Sequence, residues 1–317
     1  MKKPNVWPER LKFTDRKIQI RQPERVAVCV LRATAVVCIL FCHLFEAYGA
    51  SGSGLLYVGV PIFFALSGFL YGRHTILNWH RWALRRWVKL YVPYLLFVVP
   101  ALLLFFVFRP EEMPVLTACS YLFNLQGLSG GVMGLNHLWF VTAIMVCYIL
   151  LPCLQFFRNR QNLSLLLSWM FFVLLFWFFK GRFYWLPLYM IAYFSAQSRL
   201  KASLCIVLVV LCLQMFCSDM DEAVRYSLVR SLVGLLIVFS TLLLFRSSID
   251  GRLFLLVKWL SGISYPLYLV HNILMVGPFA LVELTPYVWL NMFLMLAGSF
   301  CLALLLERVV LFVVKRN

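Results

Sequence analysis

The chain has 317 residues, 63% of them hydrophobic, 17% aromatic and only 13% charged, with a mean hydropathy of +0.89. Soluble domains sit near half apolar and about a quarter charged, so this composition excludes a soluble enzyme and leaves no room for a sizeable soluble domain. A net charge of +17 would suggest nucleic acid in a soluble protein, but here the basic residues sit in loops between apolar runs, and the expected partner is the lipid bilayer, with no nucleic acid.

Residues 1–25, MKKPNVWPERLKFTDRKIQIRQPER, are too charged and lack the apolar core of a cleavable signal peptide. They read as a basic cytoplasmic segment held by the anionic membrane surface. Residues 26–317 read as a single transmembrane domain. Hydropathy predicts spans near 26–48, 54–72, 88–108, 137–157, 163–179, 183–197, 202–217, 227–245, 263–282 and 287–314. The expected fold is therefore all-α, with about ten transmembrane helices around a central polar cavity. Basic residues set the orientation. Arg73, Arg81, Arg85, Arg86, Lys89, Arg158, Arg160, Arg199, Lys201, Arg246, Arg252 and Lys258 fall on one side, against Arg109, Lys180, Arg182 and Arg225 on the other, which places both termini in the cytoplasm. Glu111, Glu112, Asp219, Asp221, Glu222 and Glu283 fall on the other. The ten cysteines form no CxxC pair and lie mostly inside spans, where cysteine acts as a small hydrophobe; no metal site is expected. A Cys119–Cys217 disulfide is left open.

The first span, VAVCVLRATAVVCILFCHLFEAYG (residues 26–49), carries Arg32, His43 and Glu46. One ionisable group at bilayer depth costs at least about 2.5–3.5 kcal/mol, and an apolar residue would pack more cheaply. Arg32 and His43 are eleven residues apart, which on a helix means about 16 Å along the axis and within about 20° of one face. Glu46 is one turn beyond His43 and can touch it. The stripe thus predicts a cation at one depth and a His–Glu pair at another, both facing a polar cavity; the packing alternative is an interhelical salt bridge and a satisfied buried histidine.

Later segments add candidates. Ser67 and Gly68 interrupt the bulky second span, where small residues equally allow close helix approach. Arg85, Arg86 and Lys89 cluster at the start of the third span, either binding the phosphates of a nucleotide-bearing donor or satisfying the positive-inside rule alone. His137 and Trp139 follow a glycine-rich stretch, GLSGGVMGLN (residues 127–136), read as shaping a substrate opening. Tyr265, Tyr268 and His271 recur at i, i+3, i+6 on roughly one helix face.

These segments resemble the integral-membrane acyltransferase family 3, which includes bacterial surface-polysaccharide O-acetyltransferases. LRATAVVCILFCH resembles the opening motif in which an Arg precedes a His by eleven residues; IFFALSGFLYG, NHLWFVTAIMVCYILLP and ISYPLYLVHN resemble three further motifs in family order. The resemblance implies transfer of an acyl group, usually acetyl from acetyl-CoA arriving from the cytoplasm, to a hydroxyl of an envelope glycan or lipid-linked saccharide. It makes His43 the catalytic histidine, Arg32 its partner, and Arg86 and Lys89 the family's Arg-x-x-Arg pair, with Lys at the second position. No permanently bound cofactor is expected, and the expected location is the bacterial cytoplasmic membrane. His43, backed by Glu46, is expected to act as general base, Arg32, Arg85, Arg86 and Lys89 to hold the donor, and Ser67, His137, Trp139, Tyr265, Tyr268 and His271 to line the pore. The rival expectation is a transporter or flippase of a lipid-linked saccharide or small anion, since polar residues inside spans serve conduction too.

Overall fold

The computed structural model describes residues 22–129, 131–180, 183–196, 199–214, 221–245 and 251–315. Among them the chain is helical throughout, without a strand. In order the helices are α1 (Gln22–Glu46), α2 (Gly59–Gly72), α3 (Trp79–Phe108), α4 (Val115–Leu122), α5 (Gln126–Ser129), α6 (Trp139–Phe156), α7 (Gln161–Phe178), α8 (Trp185–Ser195), α9 (Leu200–Gln214), α10 (Glu222–Leu244), α11 (Gly251–Val270) and α12 (Val288–Lys315).

Seven stretches among the described residues are long and apolar enough to cross a membrane, against the ten spans expected. The difference has two sources. One stretch, Asn136–Phe178, contains both α6 and α7, joined by a 3-10 turn at Phe157–Arg160. Helices α8 and α9 have 11 and 15 residues, short of the roughly 20 a straight crossing needs. Two boundaries also move. α3 begins at Trp79, not near 88, because the Asn78 side chain caps it by accepting from the Arg81 N–H at 3.1 Å. The span expected at 263–282 starts instead at Gly251, tightens to a 3-10 turn at His271–Leu274 and leaves the helix before Gly277, whose φ of +94° is left-handed.

α2 is the buried centre. Gly59, Val60, Ile62, Phe64, Ala65, Leu66, Gly68, Phe69 and Gly72 are all enclosed, with α1, α8 and α10 packed around them. In lipid no hydrophobic force pulls helices together, so close approach must supply the energy. Glycine provides it: a Cβ at Gly59 would be driven into the Ala35 carbonyl of α1, and a Cβ at Gly68 or Gly72 into the Tyr189 or Tyr193 carbonyl of α8. Ser67 sits beside this seam with its hydroxyl directed to Tyr148 OH at 3.2 Å. Because a backbone carbonyl cannot step aside, Gly68→Ala should lose about 1–3 kcal/mol and show a lower melting temperature in detergent. Gly262→Ala, where a Cβ meets nothing within 4 Å, should not.

α1 packs against α11, α2 and α10, so its ionisable stripe has protein rather than lipid around it. Lipid is left to cover faces such as that of α7, where Leu166, Met170, Phe171, Val173, Trp177 and Phe178 stand exposed.

Candidate active site

Three histidines from three elements meet at the end of α1. His43 lies in the last turn of α1, His137 in the 3-10 turn Asn136–Leu138 that leads into α6, and His271 at the first position of the 3-10 turn after α11. Their ring centroids are 5.3 Å apart for His43 and His271 and 5.0 Å apart for His137 and His271. All three are enclosed, at 9%, 3% and 1% exposure respectively.

Their hydrogen bonds fix which nitrogen holds each proton. The His43 Nδ1–H donates to Glu46 Oε2 at 2.9 Å, so in the neutral ring Nε2 is the free lone pair; this is the way a carboxylate orients a catalytic imidazole. The His137 Nε2–H donates to the Leu269 carbonyl at 3.0 Å, and the His271 Nδ1–H to the Tyr268 carbonyl at 2.8 Å. A carbonyl can only accept, which leaves His137 Nδ1 and His271 Nε2 as lone pairs. Both are buried without a partner among the described residues, as is Asn272 Oδ1. Buried polar groups normally find one, so this cluster is arranged to receive hydrogen-bond donors from elsewhere. No group of three or more metal-ligating side chains suited to a metal ion occurs among the described residues.

About 16 Å down α1 from His43, Arg32 lies within electrostatic range of two cations from the start of α3. Arg32 interacts electrostatically with Arg86, and Lys89 with both. The Arg86 guanidinium lies 5.1 Å over the Tyr71 ring. No carboxylate pairs with Arg32, Arg86 or Lys89 among the described residues. The surrounding cations are engaged in structure instead: Arg73 pairs with Glu24 at 2.6 Å, Arg158 donates to Thr75 Oγ1 at 2.5 Å, and Arg85 Nε donates to the Arg81 carbonyl at 3.2 Å. Arg85 Nε is thus tied to its own helix, while Arg86 and Lys89, one turn apart, lie within electrostatic range of Arg32. Burial first, then the cations Arg158, Arg73 and Arg86, hold the nearby His74 imidazole below its ordinary range, so it is neutral at pH 7 and adds no charge to this rim.

Aromatic hydroxyls run between the two clusters. Ser67 Oγ and Tyr148 OH are 3.2 Å apart. The Tyr148 ring packs edge-on against Tyr71 at 5.2 Å, and the Tyr268 ring packs on Phe140 at 5.1 Å. Tyr268 packs on His137 at 5.4 Å and donates its hydroxyl to the His137 carbonyl. Tyr265 instead donates to the Leu90 carbonyl of α3 at 2.7 Å, so its hydroxyl ties α11 to α3. The glycine-rich stretch is not an opening. Gly131 is pressed against Asn136 and Tyr121, and Gly134, at φ +86°, against the Val276 carbonyl; Gly130 lies outside the described residues. His137 itself is tied to α11 by its hydrogen bond to the Leu269 carbonyl. Cys217 also lies outside the described residues, so the Cys119 pairing has no structural counterpart here.

Sequence reasoning missed Tyr71 and Tyr148, which flank the cations, and Tyr57, whose ring stands edge-on 6.1 Å from His43. It also passed over Arg230, an ionisable residue inside the apolar run of α10 and the same signal that had exposed Arg32.

A family model described as an acyltransferase domain, that of acyltransferase family 3, matches residues 26–308. Comparison with curated proteins and with solved structures gives no match.

Proposed function

Since the chain belongs to acyltransferase family 3 and is a membrane protein of long apolar helices, we propose that it moves an acyl group, in the first instance acetyl, from acyl-CoA to a hydroxyl of an envelope glycan or lipid-linked saccharide. The proposed setting is the bacterial cytoplasmic membrane, with about ten crossings, α8 and α9 included, and both termini in the cytoplasm. The observation that carries the reading is the spacing on α1. A free cation at one depth and a carboxylate-oriented imidazole about 16 Å away suit a donor with an anionic head, a long flexible arm and a reactive thioester at its far end, which is the shape of CoA.

In this mechanism Arg32, Arg86 and Lys89 hold the phosphates by charge-assisted contacts. His43 Nε2 takes the proton of the acceptor hydroxyl as its oxygen attacks the thioester carbonyl. The tetrahedral intermediate collapses, the C–S bond breaks, and the CoA thiolate leaves with a proton returned from the imidazolium. Glu46 keeps the imidazole in the required tautomer throughout. Exclusion of water limits hydrolysis of the thioester. Ser67 is unsuited to be a prior nucleophile, because the group beside it is the Tyr148 phenol, not a base.

The test uses purified protein in lipid nanodiscs with acetyl-CoA and a crude envelope glycan fraction. The expected result is release of CoA thiol that depends on the glycan, with the acetyl ester recovered on it. Saccharide movement across the bilayer without ester formation would make the protein a transporter. Intact-protein mass after incubation with acetyl-CoA alone should be unaltered; an acetylated chain would replace direct transfer with a two-step route.

A further inference from the structure

Beside the histidine cluster lies a cavity of about 210 Å3, lined by Tyr57, Pro61, Trp139, Tyr184, Ser227 and Arg230. Its volume equals about seven waters at about 30 Å3 each, room for one sugar ring and little more. Three of its lining residues, Tyr57, Trp139 and Tyr184, are aromatic, a lining that suits the C–H surface of a pyranose, and Ser227 adds a hydroxyl. Tyr57 belongs to both regions: it lines the cavity and meets His43 edge-on at 6.1 Å.

Arg230 gives the cavity its chemistry. Its Cζ lies 5.4 Å over the Tyr57 ring, its Nε–H donates to the Tyr226 carbonyl at 3.1 Å, and Nη1 donates to the Gly54 carbonyl at 3.2 Å. A guanidinium has five N–H donors; with two engaged, three remain. No carboxylate pairs with it among the described residues. The Glu46 carboxylate is bound to His43. A cation held by two backbone carbonyls, its remaining donors without a hydrogen-bond partner among the described residues at the wall of an aromatic cavity, is built for a planar oxyanion.

Resting on the acyl-transfer reading, we propose that this cavity is the acceptor subsite. It takes a single sugar ring bearing an oxyanion, carboxylate or phosphate, on Arg230, and so brings a neighbouring hydroxyl of that ring to His43. Arg230 is then a specificity-determining residue, and the acceptor is an acidic saccharide in preference to a neutral one.

The experiment compares three soluble acceptors with the nanodisc-embedded protein and acetyl-CoA: methyl β-D-glucoside, methyl β-D-glucuronide and glucose 1-phosphate. The KM for an acidic probe should be about ten- to a hundredfold below that for the neutral one, with kcat much less affected; the better acidic probe distinguishes a sugar carboxylate from a phosphate. Arg230→Gln should erase the preference and Arg230→Lys, which keeps the cation but loses the fork, should retain part of it. Saturation-transfer NMR of the same probes without donor reads binding separately from turnover. There His43→Ala should bind the acidic probe like the parent and Arg230→Gln should not. Acetylation with no acidic preference, or a preference that survives in Arg230→Gln, overturns the subsite and leaves the enzyme intact. Arg230-dependent binding of an acidic probe without any transfer supports the subsite and removes the acyl-transfer reading. Absence of Arg230-dependent binding overturns the subsite.

Discussion

His43→Ala should lower kcat by about 10²–10⁴-fold, the range that positioned proton transfer contributes, while leaving the donor KM nearly unaltered. The separation follows from α1: the cations that would hold the donor lie about 16 Å along the helix from the imidazole, so removing the ring touches the chemistry and not the anchor. Glu46→Gln should fall in the same direction by a smaller step. The carboxylate fixes the proton on Nδ1 through a 2.9 Å hydrogen bond, but the Glu46 side chain is 58% exposed and water screens it. An amide still accepts from Nδ1 in one of its two orientations. About a tenfold loss in kcat, at constant KM, is expected from exchanging a charged for a neutral partner. Stopped assays of ester formation against donor concentration separate the two parameters. If His43→Ala turns over at the parental rate, the imidazole is not the base.

The local half of this site was legible in the chain itself. The His43–Glu46 bond is an i, i+3 contact on one helix, and helical geometry alone delivers it. The Arg32 and His43 faces follow from the same arithmetic. What the sequence leaves open is tertiary. His137, Tyr268 and His271 are visible as polar residues at the ends of apolar runs, yet their convergence on His43 depends on how the 3-10 turns after α11 and before α6 sit against α1. Likewise Arg85, Arg86 and Lys89 are one basic cluster in the sequence, and only the facing of α3 sets Arg86 and Lys89, which lie within electrostatic range of Arg32, apart from Arg85, whose Nε bonds its own helix. The lengths of α8 and α9 were blurred for a different reason. Hydropathy measures apolarity, and a short helix buried among neighbours such as α2 is as apolar as one that crosses lipid. Glycine was legible as a residue that allows close approach in α2, but the same residue in 127–136 was read as an opening when it serves close packing there too.

The second large effect is on donor binding, and it has a sign that separates function from structure. Arg32, Arg86 and Lys89 share one neighbourhood with no carboxylate partner among the described residues, so in the free protein they repel one another. Arg32→Met removes one of the three and keeps a flexible apolar stem. The donor KM should rise about 10–100-fold, the loss of one charge-assisted contact of about 1.5–3 kcal/mol, with kcat largely retained. The melting temperature of the free protein should hold or rise, because repulsion and the desolvation cost of a half-buried cation are both relieved. Added acetyl-CoA should raise the melting temperature of the parent more than that of the variant, and added salt should weaken donor binding more in the parent. A structural ion pair makes the opposite forecast: breaking it would lower the melting temperature by several degrees and leave donor affinity alone. Melting curves with and without acetyl-CoA, on parent and Arg32→Met side by side, decide between them, and a destabilised variant with parental donor KM would remove Arg32 from the donor site.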